Sequence, residues 1–267
     1  MTRHEFQKLF GHRSPVIGMV HLLPLPGSPE YGGELQAVRD AALRDAQALA
    51  DGGVSGIMIE NFGDLPFYPD QVPAETVAAM TAIAQEIRRQ TGLPIGINVL
   101  RNDARAALAI AGAVGAQFIR VNVFGYAYVT DQGWLGSRAH EIMRLRRWLG
   151  FHVRIFADVF VKHAVSPARL SIQQAAYDLA HRSLADAVIV SGDMTGGAID
   201  LDEIQMVRQT LPDVAILAGS GATPENAEAL LQFADGLIVG SYFKEGGHVN
   251  NRVDSTRVKQ LIETIKR

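Results

Sequence analysis

The sequence predicts an α/β protein of the (β/α)8 TIM-barrel class, with a phosphate-binding site after the seventh and eighth strands. Short β-rich runs alternate with helical patterns eight times, the pattern expected of parallel βα units. The 267 residues match the roughly 250 of a typical barrel of this class, so one domain over 1–267 is expected. Two late apolar runs each end in a Gly-Ser turn, Gly219-Ser220-Gly221 and Gly240-Ser241, where such barrels hold phosphate.

The strands are expected at 16–20, 56–60, 95–99, 118–123, 153–159, 187–190, 214–218 and 236–239, each rich in Val and Ile and short enough to cross a barrel once. Helical patterns lie between and after them, near 35–51, 73–90, 103–112, 138–149, 171–183, 200–210, 224–232 and 254–266. Gly52-Gly53, Gly92, Gly112 and Gly150 fall where helices should stop, and Pro73, Pro212 and Pro224 fall at element edges. No Gly-x-Gly-x-x-Gly follows the first strand, which disfavours a dinucleotide site in an open sheet.

Composition narrows the function classes. A net charge of −3 and a pI near 6.2 leave no electrostatic footprint for nucleic acid, and the basic spots at Arg138 and Arg144–Arg147 read as a solvated helix face. There is no cysteine, so a thiolate nucleophile, a thiolate metal site and a disulfide are all excluded. The N-terminus lacks the apolar core of a signal peptide, so a cytoplasmic location is expected. The weakly polar stretch 106–119 is too short and too mildly apolar to span a bilayer, leaving only peripheral membrane association.

In the two Gly-Ser turns, an apolar strand runs straight into bare backbone N–H groups and a hydroxyl that can meet an anion. Thr223 as an N-cap and Pro224 at the first helical position would add a helix dipole nearby. Strand parity then sorts the polar residues that end the other runs. His21 shares a side with Met19, Glu60 with Met58, Asn98 with Gly96, Asn122 with Arg120, and Asp158 with Phe156. Lys162 and His163 follow the fifth strand, and Ser191, Asp193 and Thr195 follow the sixth.

If these groups face inward they converge on one mouth. Glu60 and Asp158 are the candidates for general acid or base, because a buried carboxylate can be tuned toward neutral pKa. Arg120 can pair with either of them, in which case the pair serves packing rather than chemistry. Lys162 reads either as an electrophile or Schiff-base donor or as a solvated side chain past the strand end. Glu60, Asp158 and Asp193 with Asn98 or Asn122 form an oxygen-rich set suited to Mg2+, but no spacing signature supports a metal and none is assigned. The loops 21–33, 61–71 and 124–136 are long, with Tyr126, Tyr128 and Trp134 in the last, and serve either as walls of the mouth or as an oligomer contact.

Several segments together resemble the BtpA family. They are Met-Val-His21-Leu-Leu-Pro-Leu-Pro-Gly, Ile-Glu60-Asn-Phe-Gly-Asp64, Ile-Asn98-Val-Leu-Arg101-Asn, Ile-Arg120-Val-Asn122, Ala-Asp158-Val-Phe-Val-Lys162-His163, Ser191-Gly-Asp193 and Gly-Ser241-Tyr-Phe-Lys244. The resemblance covers nearly the whole chain. It implies a phosphate-binding barrel and points to members named for photosystem I biogenesis, peripheral to the thylakoid membrane. Other members occur where there is no photosynthesis, one of them encoded among sugar-uptake genes. The leading expectation is an enzyme acting on a phosphorylated small molecule, a sugar phosphate or nucleoside phosphate. Its alternatives are a non-catalytic biogenesis or stabilising factor for a membrane complex and a phosphometabolite sensor. A homo-oligomer is expected.

Overall fold

Strands β1 (Val16–His21), β2 (Gly56–Glu60), β3 (Ile95–Asn98) and β4 (Phe118–Val121) form the first half of a closed parallel barrel. Two short strands, β5 (Ala127–Thr130) and β6 (Gly133–Gly136), then leave the barrel before β7 (Arg154–Asp158) returns to it. After β8 (Ala164–Val165), another excursion, the barrel is completed by β9 (Ala187–Val190), β10 (Ala215–Ala218) and β11 (Gly236–Val239), which pairs back onto β1. The order round the barrel is β1-β11-β10-β9-β7-β4-β3-β2. This computed structural model describes residues 1–192, 197 and 199–265.

Helices follow the barrel strands: α2 (Leu35–Gly52), α3 (Ala74–Thr91), α4 (Ala104–Val114), α5 (Ala139–Leu149), α6 (Ile172–His181), α7 (Leu201–Thr210), α8 (Ala227–Leu231) and α9 (Ser255–Ile265). Their apolar faces and the outward strand residues make the larger core, in which Leu49, Ile83, Leu108 and Leu261 are wholly buried. The inward residues make a second core, where Ile17, Met58, Phe118, Phe156, Ile189 and Leu217 fill the lower barrel. Phe118 and Phe156 stack with centroids 4.7 Å apart. Gly96 is what admits them, since a Cβ there would stand 2.1 Å from the Phe118 ring.

One helix was not expected. α1 (Arg3–Phe10) closes the bottom of the barrel, started by a Thr2/Glu5 capping box and ended by Gly11 at φ 64. Phe6 and Phe10, four apart on one helix face, plug the barrel floor against Phe156 and Phe118. Only two turns long, this element has little periodicity to read.

Two helix boundaries differ from expectation. α4 runs through Gly112, which lies against the Phe151 ring at a distance that leaves no room for a Cβ, and stops at Gly115 with φ 68. Thr223 and Pro224 do not start a helix. They sit in a turn in which the Thr223 N–H donates to Asn226 Oδ1, and the five-residue α8 begins only at Ala227. The Gly219-Ser220-Gly221 turn is therefore not backed by a helix N-terminus.

The long loop after β4 supplies β5 and β6 to a second small sheet, which β8 from the loop after β7 completes in the order β6-β5-β8. Its inner face buries Tyr128 and Leu135 with Val123 and Val161. Its outer face carries Val129, paired across the strands with Trp134 and Val165, and all three are exposed.

Candidate functional site

Register decides which polar residues share a height at the mouth. His21 is paired with Glu60, and Glu60 with Asn98, so three successive strand ends present one tier of polar groups. Arg120 lies opposite Phe156 on β7, two residues before Asp158. Asn122 follows just past the end of β4 and points the same way.

Asp158 is fully engaged. It accepts hydrogen bonds from Arg120 Nε and Nη2 at 3.1 and 2.9 Å and from Asn122 Nδ2 at 2.6 Å. Burial alone would lower the Arg120 pKa, but the charge and hydrogen bonds of Asp158 outweigh it and hold that pKa above its usual value. Of the two pairings open to Arg120 in the sequence, the structure makes this one. Asp158 lies beneath the cavity floor, not on its lining.

Glu60 has a different environment. Its carboxylate accepts a short hydrogen bond from Asn98 Nδ2 and stands 3.8 Å from His21 Nε2. Burial raises its pKa, against the opposing pull of Arg120, Asn98 and Lys162. His21 is held neutral: burial, with the positive charges of Lys244, Arg120 and Lys162, lowers its pKa to about 3. A contact with the Val249 backbone opposes that fall, yet no hydrogen bond of good geometry reaches Nδ1. The ring packs against Phe62 at a tilt of 31°, with centroids 4.7 Å apart.

Lys162 turns inward rather than into solvent. Its Nζ stands 3.4 Å from the Gly219 carbonyl, and burial, reinforced by Arg120, lowers its pKa to about 8 against the pull of Asp158 and Glu60. His163 lines the same mouth but is exposed. Ser191 packs against Gly219, where a Cβ would fall 2.5 Å from its Oγ, and does not line the cavity. Asp193 and Thr195 lie outside the described residues.

The two Gly-Ser turns lie side by side. Among the described residues, none accepts a hydrogen bond from the N–H of Ser220, Gly221 or Ser241, so these donors remain open. The Ser220 hydroxyl is otherwise occupied: it accepts from Gly192 N at 2.9 Å and donates to the Gly197 carbonyl at 3.1 Å, tying the loop after β9 to the turn. The donors these turns leave for an anion are therefore backbone N–H groups and the Ser241 hydroxyl.

One cavity of about 450 Å³ connects these parts. Gly219, Ser220, Gly221, Gly240 and Ser241 form one wall, while His21, Glu60, Arg120, Asn122 and Lys162 form the floor and the other side. Phe62, Leu65, Phe67 and Leu100 supply an apolar rim from the loops after β2 and β3. The sequence brings His21, Glu60, Arg120, Asn122 and the Gly-Ser turns to the mouth if they face inward, leaves Lys162 open between cavity and solvent, and does not single out Arg101, which also lines the cavity. Its position just past β3, beyond the polar Asn98 that ends the strand, was the available signal. Among the described residues no group of three His, Asp or Glu side chains is placed to hold a metal ion, and Asp158 already engages both its oxygens.

The BtpA family model matches residues 12–267, the whole barrel without α1. The chain belongs to the BtpA family. Among its relatives, an uncharacterized protein of Archaeoglobus fulgidus is 49% identical over 252 residues, 94% of this chain and 98% of that one. The photosystem I biogenesis protein BtpA of Synechocystis is 45% identical over 256 residues, 96% of this chain and 89% of that one. Among solved structures, thiamine phosphate pyrophosphorylase from Pyrococcus furiosus superposes with a TM-score of 0.57 at 11% identity, covering 95% and 96% of the two chains. At that identity the likeness establishes the barrel fold shared with this BtpA-family chain, and only the fold.

Proposed function

We propose that this chain is an enzyme acting on a phosphorylated small molecule, a sugar phosphate or nucleoside phosphate, by general acid–base chemistry at Glu60. The observation that carries this reading is the single cavity joining the open backbone amides of the Gly-Ser turns to a buried carboxylate of raised pKa. The phosphate rests on the N–H groups of Ser220, Gly221 and Ser241 with the Ser241 hydroxyl, and Lys162 adds positive charge from the side. Anchored there, the substrate presents its far end to Glu60 and His21. Asn98 orients the Glu60 carboxylate, and neutral His21 supplies a hydrogen bond without competing as a charge. Asp158 and Asn122 hold Arg120 over the reacting atoms, where its charge stabilises a developing anion. Proton abstraction, aldol-type cleavage and hydrolysis all use such a set.

The test is turnover of a broad panel of phosphosugars and nucleoside phosphates by purified wild type and by Glu60→Gln, read by mass spectrometry. The expected result is a substrate consumed by wild type and left intact by the variant. No difference anywhere in the panel would sink the enzyme reading.

A second reading follows from the name of the Synechocystis relative and from the exposed Trp134, Val129 and Val165 row: a biogenesis or stabilising factor that works through its surface, peripherally on a membrane or as a homo-oligomer. No helix among the described residues is long and apolar enough to cross a membrane. Under this reading Glu60→Gln keeps its role in cells and Trp134→Ser loses it. A sensor would bind phosphometabolites with both sites intact and turn none over.

A further inference from the structure

Among the described residues that line the cavity, Arg101 is a permanent cation to which the acid–base reading gives no role. It is 8% exposed and follows β3, and its Nη2 donates to the Lys162 carbonyl, which fixes the guanidinium at the cavity wall. Arg120, by contrast, already donates to the Asp158 carboxylate through Nε and Nη2. Among the described residues no carboxylate stands within ion-pair distance of Arg101. Burial lowers its pKa in spite of the more distant charges of Asp158, Asp131 and Glu60. A buried guanidinium costs free energy unless an anion meets it, and its planar fork fits a carboxylate or a phosphate.

Its place in the barrel gives the distance scale. β3 and β10 are four strands apart in either direction round the closed order, so Arg101 and the Gly219-Ser220-Gly221 turn face each other across the mouth. One continuous cavity lies between them.

We propose that Arg101 is a second anion subsite, and that the ligand of this cavity carries an anionic group at both ends: a phosphate on the Gly-Ser turns and a carboxylate or second phosphate on Arg101. The proposal rests on the phosphate cradle described above. It selects bisphosphates and phosphorylated sugar acids over simple monophosphates. The reacting carbons then lie between two charged anchors, directly over Glu60 and Arg120, and the doubly held chain is stretched into one register.

Calorimetric titration with two matched pairs of probes tests this. The first pair is ribulose 5-phosphate against ribulose 1,5-bisphosphate, and the second is sorbitol 6-phosphate against 6-phosphogluconate. The expected result in wild type is that at least one doubly anionic probe binds tenfold or more tightly than its partner. A preference for the bisphosphate identifies phosphate as the second group, and one for the gluconate identifies carboxylate. In Arg101→Gln that gap should close while the monophosphates keep their affinity within about threefold, and Arg101→Lys should retain part of it. Lys162→Gln should weaken both members of each pair alike. Thermal melts of each variant confirm the fold. Monophosphate binding with no gap in wild type, or a gap that survives Arg101→Gln, overturns the second subsite alone. If no monophosphate binds at millimolar concentration, the cradle fails and this inference with it.

Discussion

Asp158 grips Arg120 through both carboxylate oxygens, at 2.9 and 3.1 Å, and both residues are buried. Asn122 takes one of those oxygens as well. A carboxylate so engaged is a poor proton acceptor, which separates Asp158 from Glu60, whose contacts are Asn98 and a neutral histidine. The two carboxylates that sequence reasoning treated alike should therefore respond differently to substitution. Asp158→Asn strands a buried guanidinium and should cost about 3–5 kcal/mol, a fall in melting temperature of roughly 10 °C. Glu60→Gln keeps the Asn98 contact and should melt close to wild type while losing turnover by about 10²–10⁴-fold. Calorimetry and activity on the two variants check the split. Equal loss of stability in both would contradict it.

Under the proposed function, Lys162 makes ligand affinity depend on pH. Its pKa of about 8 means that the amine is charged at neutral pH and loses its charge well before an ordinary lysine would. A phosphate monoester is already doubly ionised above its second pKa near 6, so only the protein side changes between pH 7 and 9.5. Affinity for a phosphosugar should fall as pH rises through 8. In Lys162→Met the affinity should be lower at pH 7 and flat across the same range. A wild-type affinity that stays level to pH 9.5 would remove Lys162 from the anion site.

His21 predicts a stability effect of defined sign. Its folded pKa, about 3, lies below the value near 6.5 of an unfolded chain, so between these pH values the unfolded state binds the proton and the folded state does not. Stability from this group is complete above 6.5 and drains away as pH falls toward 3. Glu60 acts in the opposite sense, since a raised carboxyl pKa favours the folded state on the acid side. Melting temperature followed from pH 7 to 4 should therefore fall less steeply in His21→Gln than in wild type. The comparison between variants isolates histidine from general acid unfolding. An identical slope in both would mean that His21 is protonated in the folded protein.

The eight barrel strands, both Gly-Ser turns and the tier His21, Glu60, Asn98 were legible because period-two alternation and β-branched runs record which side of a strand faces inward. Four things were not. The floor plug α1 is too short to show periodicity, and its function depends on Phe118 and Phe156, more than a hundred residues away. The β6-β5-β8 sheet is built across segments separated by a helix and a barrel strand, so its pairing is invisible to local pattern. The Ser220 hydroxyl reads as a phosphate ligand in any Gly-Ser-Gly turn, and only the fold shows it committed to Gly192 and Gly197. Lys162 was open between solvent and cavity, because the sequence carries no information on which way a side chain turns after a strand has ended.

The second Gly-Ser turn depends on an ion pair distant in sequence. Lys244, three residues past Ser241, is fully buried, and its Nζ meets Asp45 Oδ2 of α2 at 2.6 Å. The other Asp45 oxygen accepts from Val253 N at 2.9 Å, so one carboxylate fastens both ends of the segment that joins the Ser241 turn to α9. Lys244 N in turn donates to the Ser241 carbonyl at 3.0 Å, which couples the buried cation to the turn that carries the open amide. Asp45→Asn leaves the buried ammonium without a counter-charge, at a cost of about 3–5 kcal/mol. Because the released segment begins at the cradle, anion affinity should weaken along with stability, even though Asp45 does not line the cavity. Phosphate titration well below the variant's melting temperature separates the two effects. Weaker binding at a temperature where the variant is fully folded would show that the pair positions the Ser241 turn, whereas unchanged affinity would reduce Asp45 to a staple of the fold.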